Sequence, residues 1–334
     1  MRKLALFVLT AAVLFSFSAC GSQPVAVSVT PSQTPAAVDD VEQPAGPPIG
    51  ISLAGEGGFY EQLTADFSAA CTSMGYEVSI VSAVSSEQQQ RDIESFLSGG
   101  ASAIVIDPVD ADALETVLAE CETEGVPVIN IMDSINGAVS TLISPDYSEI
   151  GKIAGERAMT LYGEAGGACL ELKTDVDSFI MQLMSDGFLN VIKDSEKVTL
   201  AAEDFCGNDE EKAYESVKKA LGADSVSFIF AQSAELAHGA IRAIEESGKT
   251  VSLVVFGGDQ AVMEAVSSGT VDTALFLNTA QIAQLAIADA DGFIKNPAHV
   301  PAQYQKLDVY TAAADNASEV YAAGSPYAKA PAQP

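Results

Sequence analysis

Phe59 and Tyr60 are the residues of this chain best placed to meet a ligand. They are adjacent aromatics directly behind Gly55-Glu56-Gly57-Gly58, which follows the apolar run PIGISL of residues 48–53. A glycine-rich turn after a strand can also cradle phosphate. Here the P-loop lysine is missing, the spacing is not GxGxxG, and Glu56 would repel an anion. Asp107, Asp110 and Asp112 have the look of cation donors, but the glycine and terminal glutamate of a calcium loop are absent; helix capping, with Asp110 as N-cap, accounts for them better. Asp204, Asp209, Glu210 and Glu211 precede or open a helix, where carboxylates meet the positive end of the helix dipole. Covalent chemistry has fewer parts still. The only histidines are His238, on a helical stretch AELAHGAIRAI, and His299, in a proline-flanked loop, and both read as structural or exposed. No GxSxG, HExxH or CxxC occurs. The side chains point to binding rather than catalysis, with no cofactor and no metal.

The elements that must hold these residues are clearest in residues 101–134, a complete βαβ unit. Ala103-Ile104-Val105-Ile106 is a short continuous apolar run, the pattern of a parallel strand buried on both faces. Leu114, Val117, Leu118 and Cys121 then recur at three- and four-residue spacing on a short helix that Gly125 ends, and Val126–Ile131 is the next strand. A strand, helix and parallel strand of this length turn right-handed in one sheet. Ligands of such sheets bind beyond the carboxyl ends of the strands, here Asp107 and Met132 to Ser134. The pattern repeats: strands are expected at 48–53, 77–81, 140–143, 168–172, 198–202, 226–230, 251–256 and 271–277, with helices from Phe59 to about Met74, ended by Gly75, after a cap at Ser85 or Ser86, through Ile150 to Met159, and over 179–192, 210–221 and 234–246, then a helix over 279–294 and a final strand over 303–309. Two such series predict an α/β chain of two lobes with parallel sheets and a ligand cleft between their strand ends.

With 334 residues, two lobes have ample core. Residues 1–19 read as a signal peptide, with Arg2 and Lys3 before an apolar stretch. Ser18-Ala19-Cys20-Gly21 resembles a bacterial lipoprotein signal, in which Cys20 is lipidated and anchors the protein to the membrane. Residues 20–47, rich in proline, form a tether without apolar periodicity, and 322–334 a tail of the same kind. The net charge of −30 excludes nucleic acid, whose phosphates need clustered lysine and arginine. Cys71, Cys121, Cys169 and Cys206 are widely spaced and read as small buried apolar residues, with no disulfide assigned.

Ile106-Asp107-Pro108-Val109-Asp110 with Glu124-Gly125-Val126-Pro127-Val128-Ile129 resembles the signature of periplasmic sugar-binding proteins of the ribose-binding type. Gly151-Lys152-Ile153-Ala154-Gly155, Asp186-Gly187-Phe188, Phe230-Ala231-Gln232, Ala237-His238-Gly239-Ala240 and the stretch 311–321 are similar to further segments of that family in the same order. The resemblance covers about 48–321. It implies two Rossmann-like lobes joined by three crossover strands, near 144–146, 277–279 and 306–309, which divide the chain into an N-terminal lobe of 48–145 plus 278–306 and a C-terminal lobe of 146–277 plus 307–321. It also implies a monomer that closes on a small sugar or sugar-like ligand and delivers it to an ABC-type permease.

The family's aromatic sandwich falls on Phe59 and Tyr60, with Phe205 from the other lobe. Its polar set is mostly replaced. Asp133 stands one place from the family's Asp-Arg pair, Gln182 is the nearest polar residue to an arginine position taken by Met184, Ser233 replaces an asparagine, Asp259 lies two places from an aspartate position, and Asn278 stands beside Leu277 at a glutamine position. Losing both arginines removes the donors that read adjacent hydroxyls, which shifts the expected ligand away from ribose, toward something less polar or cationic. A sensor coupled to a membrane kinase and an extracytoplasmic enzyme on the same fold are the rival readings. A DNA-binding regulator is set aside, because a signal and tether stand where its headpiece would be.

Overall fold

The computed structural model describes residues 46–174 and 178–316. Residues 1–45, with Cys20, the expected signal peptide and all but the last two residues of the expected tether, and 317–334, with the expected tail, lie outside them, as do 175–177. No helix among the described residues is long and apolar enough to cross a membrane.

The first sheet is built from β1 (Pro48–Leu53), β2 (Glu77–Ser82), β3 (Ala103–Ile106), β4 (Val128–Ile131) and β5 (Thr141–Pro145), joined by α1 (Gly58–Met74), α2 (Ser86–Ser98) and α3 (Glu115–Glu124). The second runs through α4 (Tyr147–Tyr162), β6 (Gly167–Lys173), α5 (Phe179–Ile192), β7 (Val198–Phe205), α6 (Glu210–Gly222), β8 (Phe228–Ala231), α7 (Ala234–Ser247), β9 (Ser252–Phe256), α8 (Gln260–Ser268) and β10 (Thr273–Leu277). After α9 (Thr279–Lys295) come β11 (Tyr304–Leu307) and β12 (Val309–Ala313). The strand orders are β11-β5-β4-β3-β1-β2 and β12-β10-β9-β8-β6-β7. Every pairing is parallel except β10 with β12. In each sheet the strand order reverses once, between β1 and β3 and between β6 and β8, and such reversals open a crevice at the strands' carboxyl ends.

Buried runs such as AIVI of β3 and FIFA of β8 exist because helices cover both faces of each sheet. Four apolar clusters result, two per sheet, and Phe59, Phe256 and Val309 each pack against a cluster of both lobes. Cys71, Cys121, Cys169 and Cys206 are buried and unbridged.

Three expectations are corrected. Residues 303–309 do not form one strand: the chain leaves the first sheet at Leu307 and enters the second at Val309, with only Asp308 between. The helix α8 went unread, although Asp259 caps it by accepting the Val262 amide at 2.9 Å. Asp110 is not a helix cap. Its carboxylate accepts the Asp112 amide at 2.9 Å within a turn, and α3 starts only after Leu114, without a side-chain cap.

Two helix pairs are drawn together by glycine. A Cβ on Gly151 of α4 would stand 1.8 Å from the Met184 carbonyl oxygen, and one on Gly187 of α5 would stand 2.0 Å from that of Ser148. The helices α6 and α7 meet in the same way at Gly239.

Candidate functional site

A cleft of about 780 Å³ lies where the two strand-order reversals face each other. The first lobe lines it with Ala54, Gly55, Glu56, Gly58, Phe59 and Tyr60 from the β1–α1 turn, and with Val109 and Met132. The second supplies Thr174, Met181, Gly207, Asn208, the run Gln232 to Glu235, and Phe256 to Asp259, while Phe276 and Leu277 come from the end of β10. The lobes approach closely, since a Cβ on Gly58 would lie 3.6 Å from that of Asp259.

Phe59 and Tyr60 sit edge to face, 5.3 Å apart between ring centroids and inclined by 87°. Gly55 makes room for the second ring: any Cβ there would fall 2.4 Å from Tyr60 Cε2. The Tyr60 hydroxyl donates to the carboxyl of Asp107, at the end of β3 across the reversal. Asp107 is only 3% exposed. Its carbonyl accepts Gln89 Nε2 of α2 at 2.7 Å, and Gln89 Oε1 in turn accepts the Val109 amide at 2.8 Å, so one buried glutamine holds the turn in place. The carboxyl also takes the Ala54 amide, yet Oδ2 has no partner. Burial pushes its pKa up to about 7, and the Asp133 charge adds to this, against the hydrogen bonds from Tyr60 and Ala54. The Asp107 charge, reinforced by burial, raises the Tyr60 hydroxyl far above the usual range. Burial, with the charges of Asp107 and Asp133, does the same for Tyr147.

Asp133 lies behind this group rather than on the cleft wall. Met132 adopts φ 65°, held by its amide on the Ile143 carbonyl at 2.9 Å and by the Ser144 hydroxyl on its own carbonyl. The turn leaves Met132 in the wall and Asp133 accepting the Ser134 amide at 2.8 Å, its pKa raised by burial.

In the second lobe Ser233 lines the cleft, but its hydroxyl is engaged twice. It donates to Asn208 Oδ1 at 2.6 Å and caps α7 by accepting the Leu236 amide at 3.2 Å. Asp259 lines it too, paired with His238 at 2.8 Å between Oδ2 and Nε2. Burial would raise the Asp259 pKa, but the histidine and the α8 amides outweigh it and hold it below the usual range; Asp259 in turn raises His238. Behind Gln232, the buried Glu171 accepts from Gln232 Nε2 at 2.6 Å and from Ser185 Oγ at 2.8 Å, and burial raises its pKa.

Three expected contacts stand away from the cleft. Gln182 is exposed and donates to Asp186, one helical turn on, at 2.9 Å. It is Met181, next to it, that reaches the wall. Phe205 is 47% exposed, with Lys173 Nζ 5.1 Å from its ring centroid. Asn278 spends its side chain capping α9, accepting the Gln281 amide at 3.2 Å. The residues that sequence reasoning did not assign to the site are Asp107, Asn208, Gln232 and Glu235. Asp107 carried the clearest signal, an aspartate at the carboxyl end of a buried strand.

Residues 49–297 match the family model described as the periplasmic binding protein domain. The chain belongs to this family. Among the relatives it resembles, the ribose import binding protein RbsB of Bacillus subtilis (strain 168) is 28% identical over 224 residues, covering 66% of this chain and 72% of that one. The D-apiose import binding protein of Actinobacillus succinogenes is 25% identical, covering 70% and 76%. A crystal structure of a galactofuranose binding protein superposes with a TM-score of 0.77 at 20% identity, over 85% of this chain and all of that one. A solute binding protein from Bacillus halodurans with bound myo-inositol gives 0.75 at 18%, over 83% and 98%. Two parallel-stranded lobes around a cleft are thus the family's architecture. Solute binding outside the cytoplasm is the role that comes with the family, and its relatives are binding proteins of sugar import rather than enzymes.

Proposed function

We propose that this periplasmic binding protein is a lipid-anchored monomer that captures a sugar or sugar-like small molecule between its lobes and delivers it to an ABC-type permease. The observation that carries this reading is the cleft itself. Aromatic rings from one lobe meet hydrogen-bonding groups from the other across a volume suited to one small ligand, which is the composition of a recognition site. A ligand touching both lobes stabilises the closed form because only that form makes both sets of contacts. The lobes divide at 145/146, 277/278 and, because Leu307 still pairs with β5, at 307/308. Phe59 and Tyr60 stack on the ligand's apolar face, while Ser233, Asp259 and their neighbours Asn208 and Gln232 supply polar contacts. Gln182, Phe205 and Asn278 leave the ligand shell, and Asp133 acts on it through Asp107. Cys20 carries the lipid, and Cys20→Ser should release the protein from membranes in a fractionation experiment.

Thermal unfolding of the full chain against pentoses, hexoses, polyols, nucleosides and cationic metabolites tests the reading. A ligand at about 100 times its dissociation constant adds about 2.7 kcal/mol of stability. Phe59→Ala should reduce the affinity of whichever compound shifts the transition by about 1–3 kcal/mol. No shift with any compound, or affinity unchanged in Phe59→Ala, would overturn it.

A further inference from the structure

The charges that reach this cleft have one sign. Among the described residues, its wall carries Glu56, Glu235 and Asp259 but no lysine or arginine. Asp107 stands directly beneath Tyr60, and Asp133 behind Asp107. The cations nearby are already engaged or lie at the edge. His238 pairs with Asp259, and Lys173 pairs with Glu203 at 3.1 Å. Lys212 is exposed, its Nζ 3.7 Å from where a Cβ on Gly207 would be. An acidic wall alone is only a solvated surface, but a second observation separates this one. Asp107 is 97% buried by its 3% exposure, it is bonded to a residue of the cleft wall, and its Oδ2 has no partner among the described residues. Glu235 of the opposite lobe acts on the same Tyr60 hydroxyl, so carboxylates of both lobes converge on one aromatic side chain. A neutral ligand filling the cleft would take water from the exposed Glu56 and Glu235 and leave the buried Asp107 carboxylate uncompensated, which is costly.

Building on the solute-capture reading, we propose that the ligand is a polyhydroxylated small molecule bearing a protonated amine, an amino sugar or amino polyol, whose ammonium is recognised by Asp107 and Glu235 against the faces of Tyr60 and Phe59. Aromatic faces and carboxylates together form the usual surround of an ammonium, and hydrogen bonds to charged partners are the stronger kind. Burial, which pushes the Asp107 carboxyl up to about 7, marks how poorly the ligand-free site stabilises that charge. The groups facing it are Tyr60 of α1, Tyr147 of α4 and Asp133 after β4, with Glu235 of α7 near the Tyr60 hydroxyl, so no basic group among the described residues supplies what the ammonium would.

Calorimetric titration of the full chain at pH 7.5 with matched probes decides this: D-glucosamine against D-glucose, D-galactosamine against D-galactose, and D-glucamine against D-sorbitol, with the N-acetylated amino sugars as uncharged analogues. The expected result is that at least one amine binds ten times or more tighter than its neutral twin, and that N-acetylation removes the margin. Glu235→Gln, an exposed position that does not endanger folding, and Asp107→Asn should each shrink that margin. If neutral members bind as tightly as their amines, the ammonium proposal falls and solute capture stands. If the margin survives in both carboxylate variants, the assignment to Asp107 and Glu235 falls. If neither member of any pair binds, the ammonium proposal and the sugar reading fall together.

Discussion

At the residue scale, Asp107 determines the most. Its position at the end of β3 follows from the ladder, since its amide donates to Ser52 O of β1 at 2.9 Å, and from Gln89 clamping the turn behind it. Burial puts a carboxyl of ordinary pKa 3.8 at about 7, with a consequence of definite sign. Between about pH 4 and 7 the folded protein holds a proton that the unfolded chain has released, so this group makes stability fall as pH rises through that window and stay low above it. Asp107→Asn removes the penalty. The ceiling is roughly 4 kcal/mol, from about three units at about 1.4 kcal/mol each. The variant's buried amide nitrogen, facing no acceptor, takes part of that back. The expected outcome is a variant about 1–3 kcal/mol more stable than the parent at pH 8 and no more stable at pH 4.5, read by urea unfolding at the two pH values. Parent and variant differing equally at both would mean that Asp107 is ionised throughout. The proposed role thus falls to a residue that costs its own fold stability, as groups at functional sites commonly do.

At the scale of elements, the strands were legible because their buried apolar runs can be read without knowledge of their partners, and most helices because Gly75, Gly125, Ser85 and Asp209 mark ends that the chain also uses as ends. The helix α8 was hidden by its nine residues, too few for a periodic stripe, and the switch between sheets at Asp308 by an apolar pattern that does not break there. Site residues were harder. Gln182 and Met181 are neighbours in sequence but about 100° apart around a helix, so a carry-over wrong by one position moves a side chain from the cleft to solvent. Asn278 and Ser233 were legible as polar residues near strand ends, but not as helix caps already using their side chains. The link between Tyr60 and Asp107 crosses 47 positions and a sheet reversal, which no local pattern encodes. The glycines Gly151 and Gly187 invite a test at this scale. Gly187→Ala puts a methyl into the Ser148 carbonyl and must push α4 from α5, a case of overpacking that costs typically about 1–3 kcal/mol. Chemical denaturation should show a loss of at least that size. Ala at Gly222, where a Cβ meets nothing within 4 Å, should cost nothing measurable.

For the whole molecule, function rests on two lobes that meet without obstruction. The described lobes stand close: Gly58 faces Asp259 across the cleft, and Phe59 packs against the apolar cores of both sides. Gly58 opens α1 in the sequence of the first lobe, is exposed, and has no left-handed backbone that would require glycine. A larger residue there is therefore compatible with its own lobe and incompatible only with closure. Gly58→Leu extends several atoms beyond a Cβ already 3.6 Å from Asp259, so the closed arrangement should be lost while each lobe folds normally. The expected outcome is ligand affinity reduced tenfold or more, a ligand-free melting temperature within about a degree or two of the parent, and, in small-angle scattering, no contraction on adding a ligand that contracts the parent. Gly58→Ala, whose methyl sits at ordinary contact distance, should behave nearly as the parent. If Gly58→Leu binds as tightly as the parent, ligand capture does not need the lobes to approach at this point. The cleft would then hold its ligand from one lobe alone, with Phe59, Tyr60 and Asp107 sufficient to retain it.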